Sequence, residues 1–179
     1  DIKKVDVANG EGVRVSIFVS GCHHHCKGCF NECAWDFGYG NKFDENAKEK
    51  VINYMNHDYI KGLSLLGGEP LEPSNQEGLL PLVKEVKEKF PDKTIWCYTG
   101  YDFQKDIVDG MNKTNPTTKE LLKYIDVVVD GKFDENQKSP KLRFRGSANQ
   151  RILDAQETIK EDKPVEIPSL YEKDRPTFK

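Results

Sequence analysis

Strand-like and helix-like segments alternate along most of this chain, and each apolar run is followed at once by a loop rich in glycine or cysteine. Val13 to Val19 (VRVSIFV) is β-branched and apolar, bounded by Gly10 and Gly12 on one side and Ser20-Gly21 on the other, and reads as a buried strand. From Glu45, the residues Ala47, Val51, Ile52 and Met55 recur at helical spacing. Gly62 to Leu66 is the next strand. Ser74 with Glu77 has the form of a capping box, and it opens a second helix along Leu79, Leu82, Val83, Val86 and Phe90 with Pro81 in its first turn. Thr94 to Thr99 and Ile125 to Asp130 read as strands, and residues 102–109 and 118–124 as short helices. Such alternation predicts an α/β fold, a mostly parallel sheet joined by right-handed crossovers. A complete eight-stranded barrel takes about 250 residues. The chain has 179, so the expectation is an open, partial (β/α) barrel. The loops after the strands then converge on the carboxyl ends of the sheet, where ligands bind in folds of this kind.

One of those loops carries Cys22, Cys26 and Cys29, a Cys-x3-Cys-x2-Cys spacing. Iron-sulfur clusters are ordinarily held by one thiolate per iron, so three cysteines leave one corner of a four-iron cube open, as a catalytic zinc keeps a position free. The competing reading is a binding module in which the three cysteines and one histidine close around a structural zinc. An odd total of 5 cysteines, three of them within eight positions, suits a metal site better than a disulfide framework. Lys and Arg number 27 against 30 Asp and Glu, a net charge of -3 with the signs interleaved, which argues against nucleic acid as partner. No apolar run is long enough to cross a bilayer and the first residues are polar, so the expected location is the cytoplasm, away from membranes.

The segment Gly21-Cys22-His23-His24-His25-Cys26-Lys27-Gly28-Cys29-Phe30-Asn31, followed by Gly67-Gly68-Glu69-Pro70, resembles the radical S-adenosylmethionine enzymes. Further motifs are Asn9-Gly10, Arg14, Trp35, Tyr98-Thr99-Gly100-Tyr101, Val129-Asp130-Gly131-Lys132-Phe133 and Arg145-Gly146-Ser147 with Asn149-Gln150. With them the chain resembles, more narrowly, the glycyl-radical activases of anaerobic ribonucleoside-triphosphate reductases, from about residue 5 to about residue 153. The resemblance implies a 4Fe-4S cluster on Cys22, Cys26 and Cys29, with S-adenosylmethionine chelating the fourth iron. It also implies the reductase as protein substrate and reduced flavodoxin or a similar electron donor. Gly67, Gly68 and Glu69 would then hold the methionyl amino group, and Asp130 with Lys132 would sit near the ribose and carboxylate. Many members carry an aromatic residue before the third cysteine. Here Gly28 stands there and Phe30 follows Cys29, so either Phe30 or the Gly28 backbone would meet the adenine. An activase for another glycyl-radical enzyme is a further alternative.

The remaining chemistry-bearing residues have blander readings. Cys33 and Cys97 read as buried structural thiols, His23, His24 and His25 as solvated loop residues, and His57 as a surface residue at a helix end. Residues 1–153 form the expected catalytic domain. Beyond Asp154 the chain turns polar and gains Pro164, Pro168 and Pro176, which reads as a mobile surface tail over 154–179.

Overall fold

A computed structural model describes residues 1–172 and 174. Six strands form one sheet in sequential order: β1 (Ile2–Asp6), β2 (Val13–Val19), β3 (Ile60–Gly67), β4 (Thr94–Tyr98), β5 (Val127–Asp130) and β6 (Arg151–Asp154). The four central strands run parallel, and β1 and β6 pair antiparallel at the edges. Between the parallel strands lie α1 (Glu45–Met55), α2 (Pro73–Lys89), and a π-helix (Phe103–Met111) that leads into α3 (Asn112–Thr114) and α4 (Pro116–Leu121). The expected mixed α/β fold with a mostly parallel sheet is the one observed. The edge strands carry too short an apolar run to stand out in the sequence.

The pleat separates two unlike faces. Ile17, Leu65, Cys97, Val128 and Leu153 lie in register across β2 to β6 and belong to the main core beneath the helices. On the opposite face, Trp96, Val127, Val129 and Ile152 form a second apolar cluster with Phe144 and Leu170. The same face carries buried Ser16, Ser64 and Arg14 toward β2. Arg14 takes the place of a hydrophobic residue by spending its whole guanidinium: Nε donates to Ser64 Oγ at 2.8 Å, and Nη1 and Nη2 donate to Thr94 Oγ1, the Thr94 carbonyl and the Leu63 carbonyl. Burial pulls its pKa down to about 10.

Three local expectations need correction. Helix α2 starts before the supposed capping box, with Pro73 in its first turn and Glu72 as the cap residue, so Pro81 falls in the third turn. There Pro81 has no N–H for the Glu77 carbonyl. The Glu72 carboxylate makes no cap because it is engaged by the cysteine loop. Cys33 is exposed, its thiol donating to Asn31 Oδ1, whereas Cys97 is buried as expected. The polar segment past Asp154 is also structured. Asp154 caps α5 (Ala155–Glu161), Ala155 and Thr158 are buried, and α6 (Pro168–Tyr171) sends Leu170 into the second cluster. Its few apolar residues are spaced to reach that cluster, which composition alone conceals. Pro176, part of the expected tail, lies outside the described residues.

Candidate functional site

The loop after β2 is laced to the loop after β3 through the backbone. Gly68 N–H donates to the Val19 carbonyl at 2.7 Å, and Glu69 N–H donates to the Gly21 carbonyl at 2.8 Å. Gly21 N–H in turn donates to the Ala34 carbonyl at 2.8 Å. A Cβ at Gly68 would stand 2.6 Å from the Gly21 oxygen and 2.8 Å from that of Ala34. Gly67, at φ +117°, presses on the Val19 backbone. The glycines are therefore demanded first by the approach of two loops of the protein itself. Asn75, in the first turn of α2, adds side-chain bonds to the Ser20 and Glu69 carbonyls at 3.0 and 2.9 Å.

These loops form one end of a cavity of about 500 Å³. Cys22, Cys26 and Cys29 all line it, and so do Phe30, Gly67, Gly68 and Glu69. Cys22 is buried, while Cys26 and Cys29 are half-buried. Burial pushes the Cys22 thiol pKa up, opposed by the backbone N–H groups of His24 and His25. Asn31 N–H points at Cys29 Sγ at 3.4 Å. Among the described residues no three His, Cys, Asp or Glu side chains gather where a single metal ion could be held. Tyr98 at the end of β4 and Thr99 and Gly100 just after it form the floor, and Leu142 to Gly146 form the far wall.

Other residues singled out from the sequence lie elsewhere. Gly28 makes a left-handed turn, φ +73°, against Glu135 and is not part of the cavity wall. Asp130 is 1% exposed and is spent on structure: Oδ2 accepts the Phe103 N–H at 2.8 Å, and both oxygens bind Arg151. That bidentate bond raises the Arg151 pKa. Lys132 is exposed and outside the wall, and its carbonyl accepts a bond from Asn149 at 2.9 Å.

Of the three histidines read as solvated, His23 and His25 are exposed as expected, and His24 is not. His24 is buried in its side chain, 8% exposed, and Nε2 meets Glu69 Oε2 at 2.9 Å. His23 is open to solvent at 74%, yet its Nδ1 meets Glu72 Oε1 at 2.9 Å. His25 stacks on Trp35. The far wall was also missed. Its signal was Arg145-Gly146-Ser147, legible as a motif but not as a wall. Phe144 there adopts φ +63°, held by its edge contact with Trp96.

Comparison with known proteins bears on this arrangement. Residues 8–153 match the family model of a 4Fe-4S single cluster domain. A protein of Haemophilus influenzae is 48% identical over 149 residues, covering 82% of this chain and 91% of the relative. One of Enterobacteria phage T4 is 44% identical, covering 82% and 87%, and one of Escherichia coli K12 is 40% identical, covering 83% and 92%. Each is named an anaerobic ribonucleoside-triphosphate reductase-activating protein.

Proposed function

The chain belongs to the family of anaerobic ribonucleoside-triphosphate reductase-activating proteins, and from that premise we propose that it activates such a reductase by installing a glycyl radical on it. The carrying observation is that the three thiols and the glycine motif face one cavity. A 4Fe-4S cluster on Cys22, Cys26 and Cys29 suits thiols that line a volume without meeting at a point, because each binds a different iron. A cluster held there would supply an electron for reductive cleavage of S-adenosylmethionine and so for hydrogen abstraction from a glycine of the reductase.

The residues of the chain bind, aim and exclude. Gly67 and Gly68 present backbone beside the thiols, and buried Glu69 contributes negative charge beneath them for a methionyl ammonium group. Phe30, exposed at the rim beside Cys29, offers a ring face for adenine, while Gly28 shapes the turn that puts it there. Asp130 acts through Arg151 to hold the end of β5, and exposed Lys132, two residues on, is the cation we assign to the cofactor carboxylate. We read the sheet and its crossovers as an open, partial barrel with residues 1–153 as the catalytic domain, a reading that the mostly parallel six-stranded sheet supports. The site lies in a protein with no helix, among the described residues, long and apolar enough to cross a membrane, and we place it in the cytoplasm, fed by reduced flavodoxin or a similar donor. Mixing the reduced protein, S-adenosylmethionine and an anaerobic ribonucleoside-triphosphate reductase without oxygen tests the proposal. A glycyl electron-spin signal on the reductase is expected, and its absence with an intact cluster would refute it.

A further inference from the structure

Glu69 has no exposed surface, and its carboxylate is bonded within its own loop and to two neighbouring ones. Oε1 accepts the Leu71 N–H at 2.9 Å, and Oε2 accepts the Gly100 N–H at 2.8 Å. The remaining bond comes from His24, midway between Cys22 and Cys26, whose Nε2 donates to Oε2 at 2.9 Å. The carboxylate thereby ties the loops that follow β2, β3 and β4 at one point. The imidazole is packed as tightly as it is bonded. Its edge meets the Tyr101 ring at a centroid distance of 4.4 Å, and a Cβ added at Gly100 would stand 2.8 Å from Nε2. His23 makes a weaker parallel tie, its N–H and Nδ1 both reaching Glu72 at 3.2 and 2.9 Å from a solvated position.

We infer that His24 is a positioning residue: through Glu69 it sets the angle of the cysteine loop against Gly67-Gly68, and so aims the open corner of the cluster at the bound cofactor. This rests on the reading of the site as one for a 4Fe-4S cluster and S-adenosylmethionine. The three thiolates would hold the cluster in the protein, and backbone bonds hold the two loops together. The His24 bond adds a buried lateral restraint beside the solvated ones that His23 makes to Glu72 and His25 makes on Trp35. Bonds that orient the groups around a metal site typically cost about 10-fold or more in affinity or activity when lost.

The test uses His24→Phe, which keeps a ring against Tyr101 and Gly100 but removes the nitrogen, and His24→Gln, which restores a donor at the same reach. Both are reconstituted without oxygen and compared with the unaltered protein for iron and sulfide content, equilibrium binding of S-adenosylmethionine, and the change in the reduced cluster's electron-spin spectrum on adding it. The expected result for His24→Phe is unchanged iron and sulfide, about 10-fold weaker binding, and a diminished spectral change, with His24→Gln recovering most of both. Unaltered binding and spectral change in His24→Phe would overturn the inference. Loss of iron and sulfide would overturn it too, because His24 would then be retaining the cluster. If the spectrum of the unaltered protein itself ignores S-adenosylmethionine, the functional reading fails, and that outcome is separate from either of these.

Discussion

A single methyl group at position 68 has nowhere to go. Both atoms it would strike are backbone oxygens, 2.6 and 2.8 Å away, so neither can rotate aside. Gly68→Ala is expected to cost about 1–3 kcal/mol and to prise the two loops apart, seen as an earlier urea midpoint together with reduced iron retention. At Asp130 the expectation is again structural. Its carboxylate is buried against Arg151 and the Phe103 N–H, so Asp130→Asn should destabilise by about 2–3 kcal/mol in the same titration. Cys29→Ser, by contrast, removes one thiolate from a half-buried rim position, and cofactor cleavage should vanish while the far-ultraviolet dichroism stays the same. Sequence spacing made the three cysteines and the glycines legible, because a ligand count is written in residue types. It could not show that His24 turns inward to Glu69 while His23 stays in water, since neighbouring identical residues differ only in which way the loop points them.

At the scale of elements, β2 to β5 and helices α1 and α2 were readable because the apolar spacing follows the strand and helix periods. Boundaries shifted where side chains had other duties. Glu72 ends in the cap position of α2 while its carboxylate serves His23, so the Ser74/Glu77 pattern upstream of the apolar stripe misled. The edge strands β1 and β6 were hidden because their pairing partner, not their own pattern, makes them strands. Helix α2 also carries an unused opportunity. Gly78 lies in its interior with open space where a Cβ would project. Gly78→Ala should therefore stabilise by about 0.5–1 kcal/mol, a rise of about 1–4 °C in Tm by calorimetry, with cofactor cleavage unaltered.

On the scale of the molecule, two apolar clusters lie on opposite faces of one sheet, and the site is at the carboxyl end of the second. That second cluster is completed from a distance. Leu170 packs into it, Tyr171 Oη accepts the Ile152 N–H at 2.8 Å, and Asp174 binds both the Arg145 guanidinium and the Arg143 N–H. These bonds brace the wall from Leu142 to Gly146. Ending the chain at Asp162 should leave the helix-side core intact but speed proteolytic cleavage within residues 133–147, which limited proteolysis will show. This long-range brace was illegible in the sequence, where the segment is polar and its bonded partners lie 19 to 31 residues earlier. The central claim concerns the corner that the three cysteines leave open. Pulsed electron-nuclear double resonance on the reduced cluster, with S-adenosylmethionine labelled with nitrogen-15 at its amino group, tests it directly. A coupling from that nitrogen to the cluster is expected, and a fully formed cluster that shows none would contradict the account.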